Sequence, residues 1–267
     1  MNSVSIIMPI NNPDKEIINR IDRTIKEQDY KGKINIIKVE RGLGLADSLN
    51  YGIKKAKTGI IVSLHQDCIP DSKDWLRKLV EPLNDKEVVA SVSKVELPYE
   101  LWKSFSLPTK IVSVKEQKII TPLMDEKGCA YKKSALVRAE LFDGKNFRTA
   151  GEDFDMWIKL RKQGKIAYPD CKVLHFHRHT FKNRLKKELQ LSNGFGALVR
   201  IYGKEMPKSR IGFLKAVPII GWFIFLANFS YLRMKLASLL WIPLSLLVNF
   251  IYVAGFWKGF IQKKQTI

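Results

Sequence analysis

Apolar residues first gather in a short run, VSIIMPI over 4–10, that ends at the turn formers Asn11, Asn12, Pro13 and Asp14. Such a run predicts a buried strand. The period then changes. Ile17, Ile18, Ile21 and Ile25 recur at three- and four-residue spacing, which predicts a helix with Asp14 as its N-cap. INIIKVE over 34–40 predicts a second strand. Residues 41–59 predict a glycine-containing approach, a helix, and Gly59 as its stop. IIVSL over 60–64 predicts a third strand, and it runs into His65, Gln66, Asp67 and Cys68. Residues 72–83 predict a helix capped by Ser72, and 87–97 a fourth strand. Strands alternating with helices predict βαβ units and a mainly parallel sheet, with ligands beyond the carboxyl ends of its strands. The segment from His65 to Cys68 lies at such an end.

Beyond residue 177 the pattern shifts. Residues 178–215 are helical in period and basic, with Arg178, Lys182, Arg184, Lys186, Lys187 and further cations up to Lys215. Two apolar stretches follow, 216–232 and 236–257, the second without a charge. A bilayer core needs roughly 20 apolar residues in a helix, a length the second meets and the first approaches. Only Arg233, Met234 and Lys235 separate them. A spanning hairpin would put this basic linker outside, against the positive-inside tendency, and the alternative is that one stretch lies in the interface.

The formal net charge of the 267-residue chain is +20, which calls for an anionic partner. The basic residues precede apolar stretches and are not interleaved with stacking aromatics, so anionic membrane lipid accounts for them better than nucleic acid. Three cysteines, Cys68, Cys129 and Cys171, form no dense disulfide framework and point to a reducing compartment. The opening residues lack the basic n-region of a signal peptide.

Three constellations carry candidate chemistry. Asp67, at a strand tip, suits a hard cation that carries a nucleotide diphosphate, and His65 leaves the same face of an extended strand. Glu152, Asp153 and Asp155 cluster where a helix begins, ahead of the apolar Met156, Trp157 and Leu160. Acids there favour the helix dipole, and a carboxylate so held can act as a general base toward a hydroxyl. His175, His177 and His179 alternate, so in an extended segment they share a face. Imidazole binds transition metals and contacts phosphate. A structural zinc site from His65, Cys68, Cys171 and His175 has permissible spacing but lacks the usual Cys-x-x-Cys knuckle.

The ordered set of SIIMPINN, GLADSLNYGIKKAKTGIIVSLHQDCIP, KGCAYKKSAL and GEDFDMWIKLRKQGKIAYPDCKVLHFH resembles a family 2 glycosyltransferase with the GT-A fold, over roughly residues 3–180. The resemblance implies an α/β nucleotide-sugar-binding sandwich over 1–180. A basic juxtamembrane helical segment over 181–210 and a hydrophobic membrane region over 211–267 would follow, with the catalytic domain facing the cytoplasm. Asp67 then stands for the last carboxylate of the family's Asp-x-Asp, with His65 in place of the first. A divalent metal, Mn²⁺ or Mg²⁺, would sit on Asp67 with His65, His175 and His177. Asp153 would be the base, aided by Glu152 and Asp155. Pro9, Asn11 and Glu40, with Asp67, would contact the donor. The implied reaction is inverting transfer from a nucleotide sugar to a hydroxyl of a glycan or lipid-linked acceptor. Two other readings compete. A nucleotidyltransferase would need a glycine- and basic-rich loop after the first strand, which residues 9–16 do not supply. A binding protein that lost its metal site is prompted by His65.

Overall fold

The computed structural model describes residues 2–40, 44–118, 123–147 and 150–262. The glycine-containing approach expected at 41–43, and the last residues of the expected membrane region, 263–267, lie outside them. In chain order the elements are β1 (Val4–Pro9), α1 (Lys15–Lys26), β2 (Ile34–Val39), α2 (Leu45–Lys55), β3 (Ile60–Leu64), β4 (Cys68–Pro70), α3 (Trp75–Val80), β5 (Val88–Val92) and β6 (Lys94–Glu96). There follow α4 (Tyr99–Lys103), α5 (Leu107–Ser113), β7 (Gly128–Lys132), α6 (Lys133–Arg138), α7 (Glu152–Arg161), β8 (Lys165–Ala167) and β9 (Lys172–His175). The chain closes with α8 (Phe181–Tyr202), α9 (Ser209–Lys215), α10 (Pro218–Ala227), α11 (Tyr231–Met234) and α12 (Trp241–Ile261).

These elements form two compact units: Met1–Pro98, Lys118–Gly144 and Asp153–His177 in one, and Tyr99–Gln117, Lys145–Glu152 and Arg178–Ile267 in the other. The first is built on a six-stranded sheet in the order β2-β1-β3-β7-β5-β8. β1 pairs with β2 and β3, and β5 with β8, all in parallel, while β7 runs antiparallel to both β3 and β5. The sheet is thus mixed, because the strand inserted at its middle is reversed. β1 and β3 alternate their side chains between two cores. Val4, Ile6 and Met8 join the residues of α1 and α3, and Ile7 joins those of α2, α6 and α7. Burial on both faces explains their near-continuous apolar runs.

Several local expectations hold and some are corrected. Asp14 does cap α1, accepting from the backbone N–H of Glu16 and Ile17. α2 ends at Lys55, well before Gly59, with Ala56 as an extended C-cap. Asp74, not Ser72, is the N-cap residue of α3, and the Ser72 hydroxyl donates to the Asp74 carboxylate at 2.6 Å. The fourth strand divides at Ser93, whose N–H and hydroxyl both bond the Gly128 carbonyl. Its second half, β6, joins a small sheet in the order β4-β9-β6.

In the second unit, α8 and α12 pack against each other through small residues. A Cβ on Gly196 would lie 2.1 Å from the Phe256 carbonyl oxygen, and one on Gly259 would lie 1.9 Å from that of Asn193. Backbones this close require glycine. The apolar stretch 216–232 is not one long helix: α10 spans 10 residues and is bent by 113° from α9. Pro218 cannot continue the preceding helix, and α12 donates to the carbonyls of Lys215 and Ala216 at the break and to that of Gly212, which also accepts from Ala216 N. Asn249 donates to Lys215 O, Tyr252 to Gly212 O and Trp257 to Ala216 O, at 3.1, 3.1 and 2.9 Å. Residues Tyr231–Ile261 are long and apolar enough to cross a membrane, and α9 with α10 would add a second, broken span.

Candidate active site

β1, β2 and β3 end together at Pro9, Val39 and Leu64, in register, and the segments that follow them form one rim. Asn11 and Glu40 leave the first two strands there. Gln66 holds the rim together. Its side-chain oxygen accepts from Asn11 N at 2.7 Å, and its amide donates to Asn11 O at 2.8 Å. The next residue, Asn12, turns the chain at φ 47°, a left-handed conformation that asparagine tolerates. Gln66 carries no chemistry that sequence reasoning would single out, and its role is visible only through these two bonds.

Asp67 meets the histidine segment by strand register. β4 and β9 pair antiparallel with Cys68 opposite His175, and Phe176 N donates to Asp67 O at 2.7 Å. His175 Nε2 and His177 Nδ1 then both face Asp67 Oδ2, at 3.1 and 3.2 Å, with their rings stacked. Burial alone would raise the Asp67 pKa, but its bonds to His175 and His177 outweigh that and hold it well below the usual carboxylate range. The expected shared face ends there. His179 instead bonds Glu116 at 3.0 Å in the second unit.

Asp67, Cys68 and His175 bring potential ligand atoms within 4.8 Å of one another. Burial pushes the Cys68 thiol well up, so it stays protonated and ligates poorly. The useful donors are one carboxylate and the imidazoles, a set that suits Mn²⁺ and similar divalent ions. Cys171 joins no such group among the described residues, so the zinc alternative lacks its second cysteine.

His65 turns toward the start of β7, with Nε2 3.5 Å from Glu126 Oε1. Burial pulls its pKa down, against the opposing effect of Glu126, and keeps the imidazole neutral. Glu126, Asp125 and Asp153 form a second group of oxygens within 4.8 Å of one another. Lys127 Nζ pairs with Asp125 at 2.8 Å. Of the three acids expected at the start of α7, only Asp153 belongs to this group. It sits in the first turn and accepts from Phe154 N at 2.8 Å. Asp155 is buried and pairs with Lys159 at 2.7 Å, one helical turn on, while Glu152 is buried in the second unit. Gly151, just before α7, has φ 104°. Few side chains adopt that conformation, so glycine suits the position. Asp125 and Glu126 lie outside every motif singled out in the sequence.

The family model for glycosyl transferase family 2 matches residues 5–143, more than half of the chain. The chain belongs to this family. Among solved structures, this family 2 glycosyltransferase is similar to "Mannosyltransferase PcManGT from Pyrobaculum calidifontis in complex with GDP-Man and Mn2+". The TM-score is 0.62 at 16% identity, over 97% of this chain and 87% of that one. It is also similar to "GalNAc-T7 with UDP, GalNAc and Mn2+", with TM-score 0.58 at 12% identity, over 93% of this chain and 57% of that one. At these identities the likeness establishes the GT-A fold. A search of curated protein sequences gave no match.

Proposed function

We propose that this glycosyltransferase moves a hexosyl group from a nucleotide sugar to a hydroxyl on a lipid-linked or membrane-proximal acceptor, with inversion at the anomeric carbon. The observation that carries the reading is the pair of groups at the carboxyl edge of the sheet: Asp67 with His175 and His177, and Asp153 beside Asp125 and Glu126. The similar mannosyltransferase was solved with GDP-Man and Mn²⁺, and the GalNAc-transferase with UDP and Mn²⁺, which supports a hexosyl donor and a divalent ion.

Asp67, His175 and His177, with His65 beside them, are the residues that would hold Mn²⁺ or Mg²⁺. The ion's contribution is to neutralise charge on the departing nucleoside diphosphate. Pro9, Asn11 and Glu40 line the nucleoside side of the rim, where the clasp of Gln66 on Asn11 keeps the backbone in place. Asp153 takes the proton of the acceptor hydroxyl. The hydroxyl oxygen bonds to the anomeric carbon from one face as the bond to the phosphate oxygen breaks on the other, which inverts the centre in one displacement. Asp155, through Lys159, fixes the helical turn that presents Asp153. Glu152 is assigned to the same positioning task.

Membrane association is supported by the apolar length of Tyr231–Ile261 and by the lysines and arginines of α8. Each such cation near an anionic surface contributes roughly 1 kcal/mol. A cytoplasmic catalytic unit, where nucleotide sugars are made, completes this reading. The test is a donor panel: full-length protein in detergent or lipid, GDP- and UDP-linked hexoses, lipid-phosphate acceptors, and nucleoside diphosphate release with and without Mn²⁺. Acceptor-dependent release from at least one hexose donor is expected. Tight nucleotide binding with no release from any donor would favour a binding protein instead.

A further inference from the structure

The His65–Glu126 pair is an anomaly unless something lies between its members. Glu126 is 4% exposed, and its Oε2 has no hydrogen-bond partner among the described residues. His65 Nε2 is in the same condition, 3.5 Å from Glu126 Oε1 and beyond hydrogen-bond reach. A buried carboxylate oxygen left in this way is costly, and such atoms call for a partner. The nearby cation does not meet the need, because Lys127 Nζ contacts both oxygens of Asp125, at 2.8 and 3.0 Å. The geometry suits a metal. Two ligand atoms, each about 2.1 Å from one ion and roughly at right angles, lie about 3 Å apart.

We propose that Glu126 is a ligand of the divalent cation, sharing it with His65, so that the carboxylate missing at position 65 is supplied from the start of β7. This rests on the metal-assisted reading given above. Strand pairing makes the substitution possible. β3 and β7 run antiparallel with Leu64 opposite Gly128, so the residues just after β3 and just before β7 emerge at the same edge. A second carboxylate therefore arrives in space from a distant part of the chain. Its neighbours agree with this placement, since ligand atoms of Asp125 and Asp153 lie within 4.8 Å of its own.

The test separates a ligand from a structural acid. Mn²⁺ is titrated into the full-length protein by calorimetry, in the presence of GDP and, separately, UDP, for wild type, Glu126→Gln and Glu126→Asp. Wild type is expected to bind Mn²⁺ with at least one nucleotide, and Glu126→Gln about tenfold more weakly or worse. Glu126→Asp, which keeps the charge, should recover part of the affinity. In metal-free buffer, Glu126→Gln should melt at or above the wild-type temperature, because a buried carboxylate oxygen without a hydrogen-bond partner gives way to a neutral amide. Mn²⁺ should raise its melting temperature less than that of wild type. Wild-type-like Mn²⁺ affinity in Glu126→Gln would overturn this inference alone. So would a lower metal-free melting temperature or a failure to fold in Glu126→Gln, when Glu126→Asp behaves as wild type in both stability and Mn²⁺ affinity. Absence of Mn²⁺ binding by wild type itself would overturn the metal reading and this inference together.

Discussion

Replacing Asp67 with alanine is expected to lower sugar transfer by about 10³-fold, the scale seen when a single charge-stabilising group is removed from a site where charge develops. Asp67 is where the two stacked imidazoles of His175 and His177 converge, and without it they face no anion. The fold should survive. The tight turn is held by Cys68 N donating to His65 O, and β9 is held by Phe176 N donating to Asp67 O, both backbone bonds that alanine keeps. Some stability should be lost. The carboxylate's pKa is held below its ordinary value in the folded state, so it stabilises the fold above its unfolded pKa, and that contribution disappears with the side chain. Nucleoside diphosphate release, with circular dichroism as the check on folding, measures both effects. Normal turnover in a folded Asp67→Ala protein would show that the cation and diphosphate are held elsewhere.

The second large effect concerns the helices, not the chemistry. Gly196→Leu is expected to destabilise the second unit by about 3 kcal/mol or more, the upper end of what overpacking costs. The midpoint of thermal unfolding should fall by roughly 6–12 °C. A Cβ at 196 would meet the Phe256 carbonyl oxygen at 2.1 Å and Phe260 N at 3.0 Å, and backbone atoms cannot rotate aside as a side chain can. α12 would be pushed off α8, and with it Asn249, Tyr252 and Trp257, which bond the carbonyls at the end of α9. Gly59→Ala is the control, since a Cβ there meets nothing within 4 Å. Differential scanning fluorimetry of the two variants decides the matter. Equal melting temperatures would mean that the close approach of α8 and α12 is not a source of stability.

The sheet was legible because β1 and β3 are buried on both faces, and their apolar runs have no other use. Asp67 was legible as a carboxylate at the end of an apolar run, and the structure brings it to His175 and His177 there. Asp153 was legible as one of three acids at the start of α7, and it alone of the three joins Asp125 and Glu126. That grouping with Glu126 was not legible. Its immediate neighbours, Asp125 and Lys127, form their own ion pair, and nothing local distinguishes it from a solvated loop acid. Only the pairing of β3 with β7 brings it to His65. His179 shows the opposite failure. Alternation placed it with His175 and His177, but its ring is taken by Glu116, a residue far away in sequence. The stretch 216–232 likewise has the composition of a spanning helix, while the 113° bend depends on side chains of α12 that donate to carbonyls at the break.

The proposed transfer is a single displacement at the anomeric carbon, with Asp153 receiving the acceptor's proton. The most direct measurement is the anomeric configuration of the first product formed, read by proton NMR from the one-bond carbon–hydrogen coupling, with a donor labelled with ¹³C at the anomeric position. Inversion relative to the donor is the expected result. A product that retains the donor's configuration would rule out a single displacement, because it requires either two displacements or attack from the same face as the leaving diphosphate.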